Sequence, residues 1–209
     1  PGVATLTDRF DARFSYVGTQ SGADKPFPTG TRVHIAHGTR EVTGRVLLMG
    51  GRSDLDVGES CYAQIRLDAP LPVASGDRFV ARSYSPVHVI GGGSVLAGRP
   101  RRRTTLSQDE TALLDALRSD DMQGACETAL AMQRHPASIE RIAAEAGIEA
   151  ALVREGLEEM ASAGKALSLG DAPGACLATR AVLARDLSAI ENELLRFHAE
   201  NPLQTGMPK

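Results

Sequence analysis

Tryptophan is absent from this 209-residue chain, and aromatic residues make up only 4% of it. A core must therefore be assembled from Val, Leu, Ile and Ala, which favours small cores over one large one. Cysteine is scarce and odd in number: Cys61, Cys126 and Cys176 lie far apart, with no Cys-x-x-Cys spacing. That pattern argues against a disulfide framework and against a zinc site, and makes a reducing, cytoplasmic setting the expectation. No apolar run approaches the roughly 20 residues that cross a bilayer, so no membrane partner is expected. The first residues, Pro1-Gly-Val-Ala-Thr-Leu6, lack the basic and apolar segments of a signal peptide. A start at Pro1 is expected of a piece of a longer chain. Lysine is rare as well, since 20 of the 23 basic residues are arginine, a bias that a GC-rich genome would produce.

What is present divides in two. Residues 1–103 carry 14 Lys and Arg against 9 Asp and Glu, a net charge of +5. Residues 104–209 carry 9 against 17, a net charge of −8. A polyanionic partner suits the first part and is disfavoured for the second.

The first part reads as strands. In Cys61-Tyr-Ala-Gln-Ile-Arg-Leu-Asp68 the apolar Cys61, Ala63, Ile65 and Leu67 alternate with Gln64, Arg66 and Asp68, the period of a half-buried strand. Further strands are predicted at Phe10 to Val17, Arg32 to His37, Glu41 to Met49 and Arg78 to Ser83, with another in the stretch closing at Leu96. Turn residues separate them at Gly18 to Gly22, Gly50-Gly51, Ala69 to Pro72 and Ser75 to Asp77. About six short strands in some hundred residues predict a closed antiparallel barrel, which leaves no sticky edge.

The second part turns helical. Ser107 is placed to cap a helix running to Arg118, with Asp109 and Glu110 in its first turn. Another helix is expected at Gly124 to Gln133. Ser138 caps a third, Ile139 to Ala146, which Gly147 ends; a fourth spans Ala151 to Ala163, with Leu152, Leu157 and Met160 inward. Ala166 to Leu169 and Ala175 to Thr179 can pair around Gly170-Asp-Ala-Pro-Gly174. Helix, turn, helix and hairpin is the order of a winged helix. A longer amphipathic helix follows from Arg180 to Glu200, stopped at Asn201-Pro202. The expected fold class is β plus α: a six-stranded antiparallel barrel at 1–98, a basic linker at 99–105, a winged-helix domain at 106–180, and at 181–209 the first helix of an incomplete second winged-helix unit.

No catalytic constellation stands out. The sequence lacks Gly-x-x-x-x-Gly-Lys-Ser/Thr, and Gly91-Gly-Gly93 is followed by the strand-like Ser94-Val-Leu96 rather than by a helix that could cradle phosphate. A tight turn, or a bulge where backbones approach closely, is the expected role of these glycines. His34 and His37 are three apart, which on a strand sends them to opposite faces and denies them a shared metal. The winged helix raises DNA binding, but its expected recognition helix carries Glu155, Glu158 and Glu159 around Arg154, charges that phosphate repels.

Two stretches resemble the third domain of elongation factor Tu and its relatives: Thr31-Arg-Val-His-Ile-Ala-His-Gly-Thr-Arg-Glu-Val-Thr-Gly44 and the closing Arg78 to Leu96. Leu67-Asp-Ala-Pro-Leu71 is similar to a strand-ending proline of that family. Barrel, basic linker and winged helix in this order, with the terminal Phe197-His-Ala-Glu-Asn-Pro-Leu-Gln-Thr-Gly-Met-Pro-Lys209, resemble the bacterial selenocysteine-specific elongation factors. The resemblance implies a translation factor that carries selenocysteyl-transfer RNA to the ribosome and reads UGA as selenocysteine. It places GTP and Mg in an N-terminal domain beyond this sequence and an mRNA hairpin on C-terminal units beyond it. This part would then be a monomeric, non-catalytic arm of a GTPase, with no cofactor of its own.

By the same resemblance, His34, Thr43 and Arg82 fall on transfer RNA contacts of the barrel, with Tyr84 beside them. Arg can pair with phosphate, and His and Thr offer hydrogen bonds to phosphate or 2′-hydroxyl oxygens. Arg99, Arg101, Arg102 and Arg103 either touch the same backbone or are simply solvated. The alternatives are that the four barrel residues are ordinary outward side chains of a protein-interaction module, or that the chain is a winged-helix DNA-binding regulator with a β domain.

Overall fold

The computed structural model describes residues 4–18, 25–170 and 175–201. Its first half consists of β1 (Thr5–Tyr16), β2 (Phe27–Pro28), β3 (Thr31–His37), β4 (Arg40–Leu48), β5 (Asp54–Leu55), β6 (Ser60–Val73), β7 (Arg78–Ser83) and β8 (Val89–Gly98). Six of these close an antiparallel barrel in the order β1-β6-β4-β3-β7-β8. Alternation sends Phe10, Ala12 and Phe14 of β1, Val33 and Ile35 of β3, and Cys61, Ala63, Ile65 and Leu67 of β6 into one core. Phe10 and Phe79 meet edge to face, with ring centroids 5.3 Å apart. The short β2–β5 ladder adds Phe27 and Leu55, and the Phe27 ring centroid lies 5.3 Å from both Phe14 and Tyr16.

Two stretches of the barrel depart from the expected turns. Ala69 to Pro72 is no turn: β6 continues to Val73, with Leu71 and Val73 buried and paired to Thr7 and Thr5. Residues 67–70 fall where the β1–β6 register shifts, so no hydrogen bond to β1 is asked of Pro70, which has no N–H to give. Gly91, Gly92 and Gly93 form no turn either, but sit inside β8. A Cβ on each would lie 2.4 Å from the carbonyl oxygen of Ser15, 2.5 Å from that of Phe79 and 1.9 Å from that of Arg13. The close backbone approach is as expected, while the register shift lies one residue earlier, at Ile90.

The second half is α1 (Gln108–Arg118), α2 (Met122–Ala131), α3 (Ile139–Ala146), α4 (Ala150–Ser162), the hairpin β9 (Ala166–Leu169) and β10 (Cys176–Thr179), and α5 (Arg180–Glu200). Caps set the boundaries. Ser107 and Glu110 form a reciprocal capping box on α1, and Asp121, Ser138 and Thr179 cap α2, α3 and α5. Gly147 ends α3 at φ 72°, the left-handed conformation that disfavours a Cβ. In α4 the inward residue is Val153, not Leu152. Leu152 lies five residues before Leu157 and so about 140° around the helix, whereas Val153 is one turn away on the same face. The expected turn at Gly170 to Gly174, the Gly18 to Gly22 turn and the segment after Asn201 fall largely outside the described residues.

The two halves share packing. Leu96 and Ala97 at the end of β8 and Met49 after β4 join Leu113, Leu114 and Leu117 of α1 in the second core. A register shift between Asp11 and Ala12 bulges β8 at Leu96, so Val95 enters the barrel core while Leu96 faces the helices. Among the described residues, no helix is long and apolar enough to cross a membrane.

Candidate nucleic-acid interface

Val33 and Ile35 are buried, so the intervening His34 faces away from the barrel core. The register puts His34 opposite Thr43 on β4 and opposite Arg82 on β7. Three of the four barrel residues singled out in the sequence thus form a row across three adjacent strands. The fourth, Tyr84, follows β7 and turns back over β3. Its ring stacks on His34 at 5.4 Å between centroids and 19° between planes.

Arg32, two residues before His34 on the same face, was not singled out. Its guanidinium carbon lies 4.8 Å from the Tyr84 ring centroid, a cation–π distance. Strand alternation alone would have found it, since a position two residues from an outward His is also outward.

Two carboxylates tie this face together. Glu41 Oε1 lies 3.1 Å from His34 Nδ1, and its Oε2 accepts from Arg82 Nη1 at 3.0 Å. Asp68 Oδ2 accepts from Thr43 Oγ1 at 2.6 Å and from Arg32 Nη2 at 2.9 Å. The bond from Thr43, then that from Arg32, holds the Asp68 carboxyl below the ordinary range, so it stays ionised. The loop after Arg82 is pinned by Ser83, whose backbone N–H donates to His88 O at 2.9 Å and whose Oγ lies 2.8 Å from His88 Nδ1.

The arginine linker behaves as two groups. Arg103 is nearly enclosed: Nη2 pairs with the fully buried Asp11 at 2.5 Å and Nη1 with Glu110 of α1 at 3.0 Å. Gln64, buried on the outward face of β6, donates to Asp11 Oδ1 at 3.0 Å and to the Arg101 carbonyl at 2.8 Å. Arg9 Nε donates to the Pro100 carbonyl at 2.7 Å. Burial pushes the Asp11 carboxyl up to about 6, outweighing the downward pull of Arg103 and Gln64. Arg99, Arg101 and Arg102 are exposed. Arg101 and Arg102 keep only loose ion pairs, 3.7 Å to Glu110 and 3.9 Å to Asp8.

The second half offers no comparable cationic surface on α4. Glu155, Glu158 and Glu159 are exposed there, and Arg154 is paired with Glu140 at 3.2 Å. His37 is held by Asp77 at 2.9 Å, and no group of three or more metal-ligating side chains occurs among the described residues.

Comparison with known proteins bears on the first half. Residues 15–102 match the family model for the selenocysteine-specific elongation factor, beta-barrel domain. The selenocysteine-specific elongation factor of Desulfomicrobium baculatum is 32% identical over 104 residues, 49% of this chain and 16% of that protein. That of Haemophilus influenzae is 34% identical over 80 residues, 38% of this chain and 13% of its own length. The chain therefore spans a small part of the relatives it matches.

Proposed function

We propose, from the premise that the barrel is a selenocysteine-specific elongation factor β-barrel domain, that the outer face of β3, β4 and β7 binds the backbone of a transfer RNA stem. The observation that carries this reading is the register: His34, Thr43 and Arg82 lie in one row, with Tyr84 and Arg32 stacked beside them. Such a surface offers a guanidinium for phosphate, short polar groups for phosphate or 2′-hydroxyl oxygens, and a ring for a sugar or base. It positions a stem without reading its sequence.

In the longer protein this part serves delivery of selenocysteyl-transfer RNA to the ribosome at UGA codons, in the cytoplasm, with GTP hydrolysis carried out elsewhere in the chain. The helical half acts as a spacer arm. The acidic face of α4 favours that role over DNA binding, because its carboxylates repel phosphate. Exposed Arg99, Arg101 and Arg102 belong to a linker held against β1 and β6, where they offer a separate phosphate contact, while Arg103 serves the fold. On α5, Leu187, Ile190, Leu194 and Leu195 are 41 to 64% exposed at helical spacing, which supports its reading as the first helix of a further unit.

Filter binding of elongator transfer RNA to this chain across a salt series tests the reading. Affinity is expected to fall as salt rises, and Arg82→Glu to weaken binding by about tenfold or more, the scale of one charge-assisted phosphate contact turned repulsive. Salt-independent binding, or an unaffected Arg82→Glu variant, overturns it.

A further inference from the structure

The donors of the proposed RNA face are already engaged, and by carboxylates. Glu41 bridges His34 and Arg82, and Asp68 bridges Thr43 and Arg32, all at 2.6 to 3.1 Å. A carboxylate that spans two donors presents two oxygens and one negative charge, much as the non-bridging oxygens of a phosphodiester do. Resting on the reading that this face binds RNA, we propose that Glu41 and Asp68 are resident stand-ins for two backbone phosphates, displaced when RNA docks, and that they set the affinity and selectivity of the face.

Three observations support this. Each of the four donor side chains has one contact on one of the two acids, while the other N–H groups of Arg32 and Arg82 stay open, so a phosphate can meet the guanidiniums first and then take over the positions the carboxylates hold. Both carboxylates are partly exposed, with side-chain exposures of 37% and 51%. Ion pairs of that kind are held weakly, so exchange costs little, whereas an arriving nucleic acid also gains by releasing its condensed counterions. Finally, Asp68 stays charged, so its resistance to displacement is constant through the physiological pH range.

The consequence is discrimination. With two acids facing Arg32 and Arg82, and only Arg45 beside them left over, the patch is far less cationic to a diffuse polyanion than its arginines alone would make it. A ligand must bring phosphates to both carboxylate positions, and a sugar or base to Tyr84, to recover what it displaces. A flexible polyanion gains only by charge and meets the carboxylates as repulsion.

Glu41→Gln, Asp68→Asn and the double variant test this in the intact 209-residue chain. Both are surface changes that keep a hydrogen-bond acceptor, and far-UV circular dichroism checks the fold. Binding of elongator transfer RNA and of heparin, as a polyanion without stem geometry, is measured by fluorescence anisotropy. Each single variant is expected to tighten transfer RNA binding by up to about fivefold, the worth of a surface ion pair. Heparin binding should tighten by a larger factor, so the ratio of the two affinities falls. Unchanged or weaker transfer RNA binding by the variants, while the unaltered chain binds, overturns the stand-in role and leaves the RNA face standing. Failure of both the unaltered chain and the variants to bind transfer RNA overturns the RNA reading itself, and this inference with it.

Discussion

Asp11 is a fully buried carboxylate at the join between barrel and linker, and replacing it with Asn should change how stability depends on pH. Its oxygens receive Arg103 at 2.5 Å and Gln64 at 3.0 Å, yet burial lifts its pKa from 3.8 to about 6. The folded state therefore binds the Asp11 proton more tightly than the unfolded state does. That preference favours folding fully below the unfolded value of 3.8 and fades as pH rises towards 6. Above 6 the ionised, buried carboxylate weighs against folding in full. The whole gap corresponds to about 3 kcal/mol, at about 1.4 kcal/mol per pH unit. An asparagine side chain carries no such proton. Urea unfolding followed by far-UV circular dichroism, at pH 4 and pH 7, should show Asp11→Asn gaining about 2 kcal/mol relative to the unaltered chain between those two pH values, since part of the gap is already spent at pH 4. Depressed carboxyls away from this site, such as Asp186, are common to both proteins and cancel in the difference. Parallel pH curves would refute the reasoning, since they would mean that Arg103 fully offsets the burial.

Gly93→Ala should destabilise the barrel by about 1–3 kcal/mol or more, because its Cβ would stand 1.9 Å from the Arg13 carbonyl oxygen, and rigid backbone cannot yield as a side chain can; thermal melts of the two proteins check this. In the helical half, Gly156→Ala would place a Cβ 2.6 Å from Cys126 Sγ, and a double-mutant cycle with Cys126→Ala should recover part of the loss, whereas strict additivity would show that the two sites do not clash. Ser107→Ala removes one arm of the capping box on α1 and should cost about 1 kcal/mol in urea unfolding.

Elements decided by one local rule were legible in the sequence. Period-two alternation exposed the inward set of β6, and Ser107, Ser138 and Gly147 marked helix ends because a cap is a property of three or four neighbouring residues. Elements decided by distant partners were not legible. Pro70 and Pro72 read as a turn, but β6 passes through them because the start of β1 pairs with its far end. Alternation could not mark β2 and β5, whose two residues each are too few to show a period; only the packing of Phe27 on Phe14 and Tyr16 reveals them. The candidate RNA row was legible through family resemblance, yet its geometry was not. Cross-strand register is what brings His34, Thr43 and Arg82 together, and only the folded sheet reveals that Glu41 and Asp68 hold them. Arg103 looked like one more linker cation, and its enclosure by Asp11 and Glu110 depends on residues 92 positions upstream and 7 downstream.

The most direct test of the proposed RNA face is a titration of the isotopically labelled chain with elongator transfer RNA, followed by amide chemical shifts. The account predicts that the largest changes fall on Arg32, His34, Thr43, Arg82 and Tyr84. Changes centred on α4 or α5, or none at concentrations where filter binding is saturated, would contradict it.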